Sequence, residues 1–176
     1  MRMKLALAAL LCSTALANAA QTGGYDNGIP FTPTITATTY SSGQSMGGLQ
    51  TVQVFRTTTY TAWIFDNFQL TSKGGNTGAM TVYTYDTKPI GTCTDTQAFV
   101  ENAADIAKRF MAPFVLTPAV VGAGASSATG QLTQVVSGQN HDSPQTQNLY
   151  ICIVAGASIT AGSTSDLVGK ISGAQD

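Results

Sequence analysis

The stretch Thr57-Thr58-Thr59-Tyr60-Thr61-Ala62-Trp63-Ile64-Phe65-Asp66-Asn67-Phe68-Gln69-Leu70 decides the fold class. Its aromatic and β-branched residues, with four threonines among them, are the types that favour a pleated, half-buried surface. Residues 79–85 follow with Met80, Val82 and Thr84 alternating against Thr81, Tyr83 and Tyr85. Between the two lies Ser72-Lys73-Gly74-Gly75-Asn76-Thr77-Gly78, a Gly/Asn cluster able to supply positive φ, so the pattern predicts a β-hairpin. Trp63, Phe65, Phe68, Tyr83 and Tyr85 are the core candidates.

Working outward, residues 49–55 alternate as a half-buried strand, with Leu49, Thr51, Gln53 and Phe55 against Gln50, Val52 and Val54. Residues 33–39 and 114–116 read as extended, and 132–136 and 149–155 as weaker strands. Residues 122–130 read as a small-residue loop. The period changes once. Phe99, Ala103, Ile106 and Phe110 recur at helical spacing, Thr94 and Gln97 fit a capping box, and Asp95 suits a first helical turn. Asn102 offers a second start that would split the helix, and Pro113 closes it. The expectation is a mainly β protein: one β-sandwich or jelly-roll domain over residues 33–176, with one short helical insert at about 95–110.

The N-terminus carries an address. Arg2 and Lys4 precede the apolar run of residues 5–11, and Ala17-Asn18-Ala19 forms a small-x-small site, the plan of a secretory signal peptide over residues 1–19. Leu11 before Cys12 is too bulky for a lipobox. Residues 20–32, rich in Gly, Gln and Asn, read as a flexible arm. Charged residues are only 10% of the chain and the formal net charge is −1, falling to about −3 once Arg2 and Lys4 are removed. Lys108-Arg109 is the only adjacent cationic pair beyond that segment, so phosphate neutralisation has little to work with and nucleic acid is not an expected partner. Nor is a membrane, after cleavage. Cys93 and Cys152 stand as either one disulfide or two buried thiols, and spacing does not choose.

Gly43-Gln44-Ser45-Met46-Gly47 matches the G-x-S-x-G nucleophile elbow, with His141 as the sole candidate base and Asp66, Asp86 or Asp95 as a third member. An elbow needs strands before the serine and a helix after it. Here the pattern after Gly48 is a strand, and His141 sits in the polar stretch Gln139-Asn140-His141-Asp142-Ser143-Pro144. A Gly-rich turn explains the same residues. No spacing suits zinc, an EF-hand or a P-loop, and no metal or cofactor is expected.

Residues 34–117 resemble a known family. The turn Tyr40-Ser41-Ser42-Gly43-Gln44-Ser45-Met46-Gly47-Gly48 is followed by a strand containing Ile64, Asp66 and Phe68, then residues 80–85, then Asp86-Thr87-Lys88-Pro89. Asp95, Phe99, Ala104-Asp105-Ile106 and Phe114-Val115-Leu116 close the series. This order is similar to small virion structural proteins of tailed bacteriophages, of the capsid-decorating or head-associated type. The resemblance implies a non-enzymatic role by self-association and docking on a capsid shell, as a homo-oligomer located in the virion. Tyr40, Gly43, Gly47 and Gly48 would then shape a turn, Ser45 would be incidental, and Asp95 and Asp105 would start a helix and order loops. The export segment departs from that family. It supports an alternative, a periplasmic or extracellular binding or adhesion module. A small serine hydrolase using Ser45 is the third reading.

Overall fold

The computed structural model describes residues 25–53, 62–122, 125–137 and 148–175, so the signal-like segment and His141 lie outside the described residues. In chain order the elements are β1 (Tyr25–Phe31), β2 (Thr39–Tyr40), β3 (Gln50–Gln53), β4 (Ala62–Ser72), β5 (Met80–Tyr85), α1 (Ala103–Ile106), β6 (Phe114–Leu116), β7 (Ala119–Gly122), β8 (Ala125–Ser137), β9 (Asn148–Ala155), β10 (Ile159–Thr160) and β11 (Leu167–Gln175).

The pairings are nested. β1 pairs β11, β2 pairs β10, β3 pairs β9, β4 pairs β8 and β5 pairs β6, all antiparallel. The first half of the chain thus lies against the second as one folded-over ribbon. Two further pairings, β11 with β4 and β5 with β9, roll that ribbon into two sheets. Their orders are β1-β11-β4-β8-β7 and β3-β9-β5-β6, with β2 and β10 as a small third ladder. Two sheets wound in this way are a jelly roll. The mainly β sandwich expected from sequence is the fold observed.

Binary patterning explains where the core sits. Met80 and Val82 on β5, Leu149, Ile151 and Ile153 on β9, and Phe68 and Leu70 on β4 meet between the sheets with essentially no exposure. Phe68 is the hub, its ring 5.7 Å from Phe31 and 5.5 Å from Phe114, which joins β1, β4 and β6. The side chains of Trp63 and Phe65 lie outside what is described; their backbone belongs to β4. Tyr83 and Tyr85 point away from this core. Tyr85 is buried and Tyr83 half-buried, both beneath the excursion of residues 86–113 on the outer face of the second sheet, where the Tyr83 and Phe99 rings lie 4.4 Å apart. β9 is therefore covered on both faces, which explains its continuous apolar run.

Four expectations need correction. β4 and β5 are not a hairpin, because they belong to different sheets. The Gly/Asn cluster is a crossover held by Asp166, which is 2% exposed. Its carbonyl accepts from Lys73 N–H at 2.7 Å, and its carboxylate accepts from Gly74 N–H, from Asn76 Nδ2 at 3.2 Å and from Ser72 Oγ at 3.3 Å. Alternation fixed each strand's faces but not its neighbour. The helical insert shrinks to α1, since Asn102 caps it and Thr94 to Gln97 form a tight turn with Thr96 at φ 64°. Residues 25–31 are not an arm but β1, in ladder with β11. Small residues 125–130 are not loop but strand, because β8 gains its energy from the ladder to β4 rather than from side-chain propensity. The expected strand at 33–39 is mostly irregular. Pro33 and Thr36 accept close i+2 bonds from Ile35 and Thr38, leaving only Thr39 and Tyr40 paired.

Thr84 faces the core at 1% exposure, and its hydroxyl has no hydrogen-bond partner. An unsatisfied buried hydroxyl costs about 1–3 kcal/mol. Thr84→Val is therefore expected to raise stability by about 1 kcal/mol, read from the urea midpoint at unchanged slope.

Candidate functional site

The residues singled out from sequence converge on one corner of the molecule. Residues 43–46 run between the end of β9 and residues 96–99 as a bridging strand. Gly43 N–H donates to Ala155 C=O at 2.7 Å, Met46 N–H to Ile153 C=O at 2.8 Å, Ser45 N–H to Gln97 C=O at 2.8 Å and Phe99 N–H to Gly43 C=O at 2.8 Å. Gln44 Nε2 adds a bond to Thr96 C=O at 2.7 Å. Gly43, Gly47 and Gly48 all take positive φ, at 88°, 77° and 70°. Gly47 is the most constrained, because a Cβ there would sit 2.3 Å from Pro33 Cβ.

Asp95 organises the corner. Its Oδ1 accepts from Tyr40 OH at 2.7 Å and Gly47 N–H at 2.6 Å, and its Oδ2 from Thr36 N–H at 2.9 Å and Thr36 Oγ1 at 2.6 Å. It is not a helix-start group as the sequence suggested; it clasps residues 33–48 onto the 91–102 loop. Burial alone would raise its pKa. The donors from Thr36, Gly47 and Tyr40 outweigh burial and hold it below the ordinary carboxylate value. Burial pushes the Tyr40 hydroxyl up, and its bond to Asp95 adds to that.

Asp105 acts in the same way one loop further on. Fully buried, it accepts from Ile90 N–H at 2.8 Å and Gly91 N–H at 2.7 Å, completes the α1 capping box through Asn102 N–H, and pairs with Lys108 Nζ at 3.2 Å. Burial opposes its ionisation, but the Ile90 and Gly91 amides and Lys108 keep it below its usual value. Glu101 is held by Arg109 through two guanidinium nitrogens and by Tyr85 OH at 2.9 Å. Sequence reasoning missed Glu101, Arg109 and Asp166, which sit far from any motif; the signal available was a charge inside an otherwise uncharged chain.

Cys93 and Cys152 are joined, Sγ to Sγ at 1.98 Å, across a sequence separation of 59 residues. Of the two alternatives left open by sequence, the structure has the disulfide. It fastens the 91–102 loop to the centre of β9. Ser45 Oγ lies 3.9 Å from Cys152 Sγ, and Ser45 has no exposure. Both its backbone groups are committed to neighbours, and it is followed by β3 rather than by a helix, so it lacks the raised, open position of a nucleophile elbow. Asp86 is exposed at the end of β5, and Asp66 falls at a register shift in β4, neither of them beside Ser45. Among the described residues no group of three or more His, Cys, Asp or Glu could hold a metal ion. With every acceptor oxygen of Asp95 and Asp105 engaged by internal donors, the corner is built to hold loops.

The comparisons with known proteins are sparse. No family model matches the chain, and no curated protein matches it. Among solved structures, a chain of "Israeli acute paralysis virus heated to 63 degree - full particle" aligns over 99% of this chain and 79% of its own, at 12% identity and a TM-score of 0.34. That neighbour is a viral particle and not a tailed-bacteriophage protein. At this TM-score nothing further rests on it.

Two measurements check this geometry. Because Asp95 has a lowered folded pKa, it contributes stability that is present above its unfolded value of about 3.9 and is lost as pH falls through the folded value. The gap in stability between wild type and Asp95→Asn is expected to be full at pH 7 and to shrink steadily below about pH 4, by urea titration across pH. Removing the disulfide as Cys93→Ser with Cys152→Ala is expected to cost about 2–4 kcal/mol, and a thiol titration of the unfolded, unreduced native protein should find neither Cys93 nor Cys152 free.

Proposed function

We propose that this protein is a non-enzymatic structural component of a virion, acting by self-association and by docking on a capsid shell. The observation that supports it best is the strand order of the two sheets, β1-β11-β4-β8 and β3-β9-β5-β6, a jelly roll of the kind that builds many viral capsid proteins. Jelly rolls also serve as lectin and cupin domains, so the fold alone does not fix the role. The site chemistry favours the structural choice: the buried carboxylates and Ser45 are committed to holding loops. The finer form of the reading is decoration of a phage head. It rests on the turn at Tyr40, Gly43, Gly47 and Gly48 and the motif order that follows it.

A second reading has an observation of its own. The Cys93–Cys152 disulfide, together with the signal-like residues 1–19, favours a protein matured in an oxidising compartment, as a periplasmic or extracellular binding module.

Density-gradient fractionation of the source culture, with intact mass read in each pool, separates the two. Co-sedimentation with nucleic-acid-filled particles is the expected result. A soluble species outside the cell, beginning at Ala20 and absent from particles, would overturn the virion reading and favour the exported module.

A further inference from the structure

The sandwich has two lateral rims, and they differ in a way that identifies an interface. One rim is formed by β1 and β3. β1 carries Pro30, which donates no backbone hydrogen bond, and a register shift between Asp26 and Ile29; β3 is only four residues long. Proline, bulges and short strands are the devices by which natural sheets blunt an edge against pairing. The other rim is formed by β6 and β7, which follow one another through Thr117 and Pro118 and end their respective sheets. Among the described residues no strand pairs with the outer side of either. Val115 on β6 is 64% exposed, and Val120 and Val121 on β7 are 67% and 66% exposed.

This rim also lacks charge. From Phe110 to His141 the chain contains no Asp, Glu, Lys or Arg. Charged side chains are the commonest guard of an open edge, and their absence leaves three exposed valines beside unpaired backbone donors and acceptors.

We infer that β7 is the self-association edge, pairing antiparallel with β7 of a second copy across a two-fold axis. The occupant follows from the same observations. An antiparallel pair of identical strands is isologous, so one surface serves both partners. A charged edge would repel its own copy, whereas a neutral β-branched edge meets itself without electrostatic cost and buries valine against valine. Val115, on the adjoining edge, extends the apolar strip. The inference deepens the self-association proposed above by naming its surface, and it rests on that reading for its biological setting only.

The test uses the disulfide-intact protein in light scattering and sedimentation over a range of concentrations. Wild type is expected to be dimeric at tens of micromolar, and Val121→Lys to weaken the dimer at least about a hundredfold with monomer melting unchanged. Thr51→Lys, on exposed β3, should leave the dimer intact. Mixing Val121→Lys with Val121→Glu should restore association, since a two-fold β7 contact brings the two side chains together. Val120→Lys, equally exposed, replaces Val121→Lys should that variant fail to fold. A monomeric wild type, a dimer indifferent to both lysines, or one broken equally by Thr51→Lys would overturn the inference. A monomer that still co-sediments with particles would overturn it while leaving the virion role standing. A β7 dimer absent from particles would do the reverse.

Discussion

Everything in this structure depends on the pairing of the beginning of the chain with its end. The β1–β11 ladder places Phe31 opposite Gly169 and Ile29 opposite Ile171, and each inner pair closes within it. No sheet can be completed from one half of the sequence. Such pairings repay their loop-closure entropy only when remote segments meet, which makes the topology slow to form and cooperative once formed. The fold then needs local devices to hold the long connections between paired strands, and these are what the sparse charges supply.

Three aspartates perform that task. Asp95 holds residues 33–48, Asp105 holds 90–91 and α1, and Asp166 holds the 72–78 crossover. In each case a carboxylate accepts backbone N–H groups that the loop would otherwise leave unpaired, and such charge-assisted bonds are stronger than neutral ones. The same arrangement explains the low charge content of the surface: several acids are turned inward. The disulfide adds a covalent tie at the point where the longest excursion, residues 86–113, crosses the outer face of β9.

Sequence exposed this design unevenly. Strand faces were legible because alternation is a local property; Met80, Val82 and Thr84 turn inward together as the pattern required. Partnership was not. The 72–78 cluster has the composition of a hairpin loop, and only Asp166, more than eighty positions away, makes it a crossover between sheets. The apparent helical period of Phe99, Ala103, Ile106 and Phe110 arises because an irregular loop lays Phe99 on Tyr83 while leaving Ile106 exposed. Asp95 was read as a helix cap because acids suit first turns; its real partners, Thr36 and Tyr40, lie across the molecule. β8 was hidden by small residues, whose strand state comes from the backbone ladder to β4. The turn glycines were legible, since positive φ follows from local sequence.

The shortage of surface charge also bears on how such a protein selects partners. Charge complementarity steers encounter and rejects wrong neighbours, and here little charge is available for either. Selectivity must then come from shape and from backbone hydrogen bonding, which are satisfied only at contact and in correct register. One rim of the sandwich is blunted by Pro30, a register shift and a four-residue strand, while the other is left open and neutral. That asymmetry restricts a sticky, weakly charged molecule to one geometry of self-contact instead of many. A two-sided open sandwich with the same composition would polymerise edge to edge, whereas a sandwich open on one side closes as a pair and leaves its broad faces for other contacts.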